Sequence, residues 1–159
     1  MNVRSGTLLI RRMNMEDVPA VHEIDTLSFA LPWPERSFRF EVKDNPAARA
    51  WVAVLDERVV AMLVLWLVID EAHIATLATH PEFRQRGVAR RLLVESLVSA
   101  RGEGAGRAFL EVRAGNLAAQ AMYRKYGFEV VGVRQRYYKD NGEDALLMTL
   151  ERLDGLETI

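Results

Sequence analysis

The chain has 159 residues, half of them hydrophobic and 27% charged, which bounds it to a globular protein with a real core. A formal net charge of −1 leaves no overall basic field and argues against generic binding to nucleic acid. Cysteine is absent, which excludes disulfides, thiolate metal sites and a cysteine nucleophile and fits a reducing, cytoplasmic setting.

The opening residues are short and polar and carry no signal-peptide pattern. The longest apolar run, residues 59–69, falls well short of the roughly 20 residues that cross a bilayer, so no membrane partner is expected. Residues 7–12 read as a short strand. Asn14 then offers a helix cap, with Asp17 three positions on as its capping-box partner. Val18, Val21, Ile24 and Leu27 recur at helical spacing, and Pro19 falls in the first turn, where a missing N–H does least harm. Next, Leu31-Pro32-Trp33-Pro34 turns the chain into a second helix, which buries Phe38 and Val42 and stops at Asp44-Asn45-Pro46. Trp33, on its proline-stiffened loop, either walls a groove or plugs the core.

Residues 51–55 and 59–69 pair as a hairpin across Asp56-Glu57-Arg58, and the second strand is apolar enough to be covered on both faces. A third strand spans residues 73–78. None of His22, His73 and His80 stands at metal-ligand spacing, so no metal is expected. From Gly87 a helix runs to about Arg101, with Ala89, Leu92, Leu93, Leu97 and Ala100 on its inner face. Residues 107–113 form a strand parallel to the third, because the intervening helix makes a βαβ unit. Asn116 caps a further helix and Gly127 ends it in the left-handed conformation. Two more strands, residues 128–133 and 145–150, flank an Asn141-Gly142 turn signal. The order β-α-α-β-β-β-α-β-α-β-β predicts an α/β (α+β) fold: one mixed, mostly antiparallel seven-stranded sheet with helices on both faces. Residues 1–153 read as a single domain and 154–159 as a loose tail.

The informative stretch is residues 77–90, Leu-Ala-Thr-His-Pro-Glu-Phe-Arg-Gln-Arg-Gly-Val-Ala-Arg. A strand end leads through an Arg-rich loop with one glycine into a helix. Backbone N–H groups and the helix dipole would face whatever sits there, and the fitting ligand is a diphosphate.

Arg84-Gln85-Arg86-Gly87-Val88-Ala89 matches the phosphate-loop signature of the GCN5-related N-acetyltransferases, placed between strand and helix as that loop requires. The whole element order is similar to that family. Four further strings resemble its RimI branch, bacterial enzymes that acetylate the N-terminal alanine of a small-subunit ribosomal protein. They are Phe29-Ala30-Leu31-Pro32-Trp33; Leu110-Glu111-Val112-Arg113-Ala114-Gly115-Asn116; Ala121-Met122-Tyr123 with Tyr126-Gly127-Phe128; and Arg136-Tyr137-Tyr138 with Glu143-Asp144-Ala145. Ala89 stands for the commoner Gly and Thr79 for the usual Val, and neither change removes a backbone donor.

The resemblance implies acetyl-CoA as co-substrate. Its pyrophosphate would lie on Arg84 to Ala89, and its pantetheine along the strand end Leu77-Ala78-Thr79 with help from Asn116. It implies Glu111 as general base. The residues alone leave that open, since a carboxylate in a mostly apolar strand is either raised toward a useful pKa or paired with Arg113 or another strand's cation. It implies Tyr123 as the acid that protonates the departing thiolate, against core packing. The acceptor groove would be walled by Trp33, Tyr137 and Tyr138, the tyrosines being otherwise half-buried strand aromatics. The function implied is direct acetyl transfer to the α-amine of an N-terminal alanine, with a ribosomal protein as partner. Two alternatives stand beside it: acetylation of a small-molecule amine or amino acid, and a non-catalytic acetyl-CoA-binding module.

Overall fold

The computed structural model describes residues 6–159, so most of the polar start of the chain lies outside the described residues. Seven strands make one sheet in the order β1-β2-β3-β4-β5-β7-β6. β1 (Leu8–Arg12), β2 (Ala48–Leu55), β3 (Arg58–Val68) and β4 (Glu71–Thr79) pair antiparallel in succession. β5 (Arg107–Arg113) is parallel to β4, and β7 (Ala145–Leu150) lies antiparallel between β5 and β6 (Glu129–Arg134). The helices are α1 (Val18–Ser28), α2 (Glu35–Lys43), α3 (Val88–Gly102) and α4 (Leu117–Lys125). Element order and fold class are those expected from the sequence.

β3 is the spine. Val60 to Leu65 are each fully buried, because both faces of the strand carry a core. Met62 and Val64 meet Val18, Val21 and Ile24 of α1 and Phe38 of α2. Ala61, Leu63 and Leu65 point the other way, toward Leu92, Leu93 and Leu97 of α3. Full burial of each such leucine stabilises the fold by about 1.5–3 kcal/mol. The Asn14–Asp17 capping box forms in both directions, on a short 3-10 turn that leads into α1.

The feature that creates the site is where β4 and β5 stop pairing. Their ladder runs from Glu71↔Arg107 to Ile74↔Leu110 and ends. At that point β4 carries a bulge at Ala75, as the register steps from Leu65↔Ile74 to Val64↔Thr76. β4 continues along β3 to Thr79, while β5 continues along β7 to Arg113. The two parallel strands therefore part, and residues 75–79 have no strand partner on the β5 side.

Three local readings are corrected. Leu27, placed on the inner face of α1, is 51% exposed, and Asp25 is buried there instead. Asn141-Gly142 forms a tight turn, but at the tip of a loop over residues 135–144 rather than as a direct hairpin. The segment expected to be loose from Asp154 is tied down as far as Leu156. Leu153 is buried, Leu156 packs on the core, and the Arg101 guanidinium donates to both of their carbonyls at 3.0 and 2.7 Å.

Candidate active site

The Arg-rich loop folds as a strained cradle at the start of α3. Gln85 (φ 63°) and Gly87 (φ 78°) both adopt left-handed backbone, which turns successive N–H groups inward. Gly87 is the residue before α3, and no side chain caps the helix there. Arg91 is the first residue whose N–H bonds back, to the Gly87 carbonyl at 3.3 Å, so the N–H groups from Gly87 to Arg90 are the orphan donors of the helix start. A Cβ at Gly87 would stand 2.9 Å from Arg90 Nε.

The arginines divide their work. Arg84 Nε donates to the Thr79 carbonyl (3.0 Å) and its Nη2 to Ser28 Oγ (3.2 Å), which ties the loop to the ends of β4 and α1. Arg86 lies over the Phe83 ring at 5.1 Å, outside the cavity lining. Arg90 lines the cavity, as do Gln85, Gly87, Val88 and Ala89. This cavity, about 660 Å³, runs from the α3 start past Leu77, Ala78 and Thr79 to Asn116 and Tyr123. Uncapped backbone donors at one end and an unpaired strand edge along the side suit a diphosphate followed by an extended arm with amides.

A second cavity of about 330 Å³ opens on the other side of the parted strands. Trp33, Glu111 and Tyr138 line it, together with the buried carboxyl of Asp25. The two cavities share Leu77, Asn116, Ala119 and Tyr123 as walls, and also Ser28 and Phe29. They meet because β4 and β5 have separated there and because Ala119 is small.

Glu111 stands on the face of β5 opposite to Leu110 and Val112, which are buried in the α3-side core. Its Oε2 is 3.0 Å from Arg134 Nε, and its Oε1 is 3.8 Å from His73 Nε2. The cation beside it is thus from another strand and not Arg113, which instead pairs with Asp140 (3.1 Å) and Glu143 (3.2 Å). Arg113 also lies 3.9 Å over the Tyr138 ring and so holds that ring against the second cavity. Tyr137 is 45% exposed, outside the cavity lining, and edge-on to Tyr138 at 5.1 Å.

Tyr123 is buried and tilted against Phe128, with ring centroids 5.6 Å apart. Burial pushes its phenol well above the ordinary value, and Tyr138 adds to this, so the group stays protonated throughout the physiological range. Asn116 caps α4 by accepting from Ala119 N–H at 3.2 Å, and it lines both cavities. Trp33 packs on Phe38 (5.1 Å), so it serves the core and the groove at once. Its backbone N–H donates to Asp25 Oδ2 at 2.7 Å.

The sequence reading singled out none of Asp25, His73 and Arg134 as a site residue. Asp25 follows Val21 by four positions on the inner stripe of α1, and that spacing could have exposed it. His73 stacks on Phe109 (4.5 Å) with Trp66 edge-on at 5.2 Å, an aromatic row across β3, β4 and β5. Among the described residues, no cluster of side chains suits a metal ion and no helix is long and apolar enough to cross a membrane.

The sequence profile of the Acetyltransferase (GNAT) family matches residues 18–128. A Bacillus subtilis (strain 168) protein, provisionally named a ribosomal protein bS18-alanine N-acetyltransferase, is 38% identical over 139 residues, 87% of this chain and 92% of that protein. The Escherichia coli (strain K12) ribosomal protein bS18-alanine N-acetyltransferase is 32% identical over 145 residues, 89% of this chain and 95% of its own length. The crystal structure of the ribosomal-protein-S18-alanine N-acetyltransferase from Escherichia coli superposes with a TM-score of 0.84 at 29% identity, covering 91% of this chain and 93% of that one. The chain is a member of the GNAT acetyltransferase family.

Proposed function

We propose that this protein transfers the acetyl group of acetyl-CoA to the α-amine of an N-terminal alanine, with a ribosomal protein in the cytoplasm as the natural acceptor. The observation that carries this reading is the meeting of a donor cavity and an acceptor cavity at Leu77, Asn116, Ala119 and Tyr123, with a carboxylate on the acceptor side. The relatives named as bS18-alanine N-acetyltransferases, matched over most of their lengths, support the choice of acceptor.

In this reading the N–H groups of Gly87 to Arg90 hold the pyrophosphate, helped by the α3 dipole. Such a contact contributes about 0.3–1 kcal/mol, rising to about 2 when partly buried. The free edge of β4 at Leu77, Ala78 and Thr79 hydrogen-bonds the pantetheine, and a backbone N–H there stabilises charge that develops on the thioester oxygen. Acetyl-CoA supplies the activated carbonyl. An α-amino group has a pKa of about 7.7–8.0, so a modest base suffices to free it. Glu111 takes that proton, directly or through water. Tyr123, kept protonated by burial, donates to the sulfur as it leaves. Trp33 and Tyr138 wall the acceptor peptide, and Tyr137 extends that wall at the mouth. No metal takes part.

A panel of short peptides and free amines, assayed with acetyl-CoA, tests the reading. Acetylation at the α-amine of an Ala-initiated peptide, and none of the same peptide with a blocked N-terminus, is the expected result. Turnover of free amines alone would make this a small-molecule acetyltransferase, and cofactor binding without any turnover would make it a binding module.

A further inference from the structure

Among the described residues, Arg134 is the one arginine whose charge reaches Glu111 without being built into the structure. Arg113 is held by two carboxylates and an aromatic ring, and Arg84 by two hydrogen bonds. Arg134 instead reaches from β6 to Glu111, with β7 between the two strands. Ala145 and Leu147 are the β7 residues beneath it, and the small Ala145 leaves room for the guanidinium to cross. Arg134 Nε lies 3.0 Å from Glu111 Oε2, and the side chain remains 56% exposed. Such a pair is loose, since an exposed ion pair contributes only about 0–1 kcal/mol. Among the described residues Glu111 accepts no hydrogen bond, so its oxygens remain open to a donor in the acceptor cavity.

The charges around Glu111 can be enumerated. From β6 comes Arg134, from β4 His73, from the 135–144 loop Tyr138, and from β5 itself Arg113. β7 presents Leu147 opposite Glu111, and α1 places Asp25 across the same cavity. Burial pushes His73 below its ordinary value, outweighing the pull of Glu111, so the imidazole is neutral at physiological pH. Arg113 is committed to Asp140 and Glu143. The standing positive charge on Glu111 is therefore that of Arg134.

We propose that Arg134 is a positioning residue for proton transfer: its guanidinium, 3.0 Å from Glu111, orients that carboxylate and disfavours the charged form of the incoming amine. This rests on Glu111 being the general base. An ammonium entering the cavity meets a carboxylate that can take its proton and a like charge that opposes its keeping it. The ammonium gives one proton to Glu111. The freed nitrogen attacks the thioester carbonyl, the carbon–sulfur bond breaks, and the second nitrogen proton ends on the thiolate. Arg134 keeps its own charge throughout, and Glu111 passes its proton to solvent before the next turn. The like charge lowers the pH at which the bound amine sheds its proton and so extends activity toward lower pH.

The test is the pH dependence of kcat, with saturating acetyl-CoA and an Ala-initiated peptide, for the wild-type chain and for R134Q, R134K and E111Q. For R134Q the acidic limb of kcat moves up by about one pH unit, the low end expected for a charge within hydrogen-bonding range because Arg134 is exposed. Its kcat above the limb stays within about twofold of wild type, and R134K restores the limb. Superimposable profiles for R134Q and wild type overturn the proposal, as does a uniform loss at every pH, which would mark Arg134 as packing only. E111Q separates the two claims. If E111Q keeps wild-type turnover the base assignment itself fails; if E111Q is inactive and R134Q unshifted, only the role of Arg134 fails.

Discussion

Replacing Gly87 by alanine tests whether the start of α3 binds the diphosphate. Gly87 has a left-handed backbone (φ 78°), and an added Cβ would lie 2.9 Å from Arg90 Nε. The Arg90 contact is with the far end of a flexible side chain, which can swing away at little cost. What remains is the backbone term, about 1–2 kcal/mol for an L-residue held in this conformation. In the free protein the loop can relax to negative φ and lose its inward-turned N–H groups. Binding must then restore them, so the penalty falls on affinity and corresponds to about 5–30-fold in Kd at about 1.4 kcal/mol per tenfold. Gly104→Ala is the control. Gly104 also has positive φ (107°), nothing lies within 4 Å of an added Cβ, and the residue is outside both cavities. Calorimetric titration with coenzyme A should show weaker binding for Gly87→Ala only, while the loss of Tm falls mainly on Gly104→Ala. Equal Tm losses with unchanged Kd for Gly87→Ala would refute the cradle.

Tyr123→Phe should slow single-turnover acetyl transfer by about 10²–10⁴-fold, the usual range for acid catalysis, while Kd for coenzyme A holds. A wild-type single-turnover rate would remove the acid role. Asp25 is a buried carboxyl whose pKa is raised, chiefly by desolvation, with the Trp33 N–H and His22 pulling the other way. A raised folded-state pKa means that its stabilising contribution is full below the ordinary carboxylate range and is lost as pH rises through the folded value. Asp25→Asn removes that loss and still accepts from Trp33, so its Tm relative to wild type should be more favourable at pH 7 than at pH 4. A Tm difference independent of pH would show that Asp25 does not titrate in this way. Glu111→Gln should lower kcat by about 10²–10⁴-fold with acetyl-CoA affinity nearly unchanged, and an unchanged rate across a pH series would dismiss it as base.

Local chemistry was legible in the sequence wherever the determinant is local. The apolar period of α3, the Asn14–Asp17 box, the Gly127 helix end and the span of β5 all follow from residues within a turn or two of each other. The loop proposed to hold a diphosphate is legible for the same reason, since its strand, glycine and helix start are contiguous. The contact between Arg134 and Glu111 is not. It exists only because β7, the last strand, inserts between β5 and β6, and no periodicity announces that sheet order. The parting of β4 and β5 was hidden likewise, because the bulge at Ala75 is set by pairing with β3. Arg84 reads as a phosphate ligand from its place in the motif, and its ties to Thr79 and Ser28 appear only once α1 and β4 are brought together. The tail from Asp154 reads as loose from its terminal position, yet Leu156 packs on the core beside α3.

The central claim is that donor and acceptor cavities form one reaction point at Leu77, Asn116, Ala119 and Tyr123. The most direct test is the affinity of a bisubstrate compound in which coenzyme A is joined covalently, through its sulfur, to the α-amine of an Ala-initiated peptide. If both cavities are filled at once, it should bind about 10²–10⁴-fold more tightly than coenzyme A alone, the gain expected when a second contact becomes intramolecular. Affinity no better than that of coenzyme A would mean that the peptide does not reach the second cavity from the donor site, and would contradict the claim.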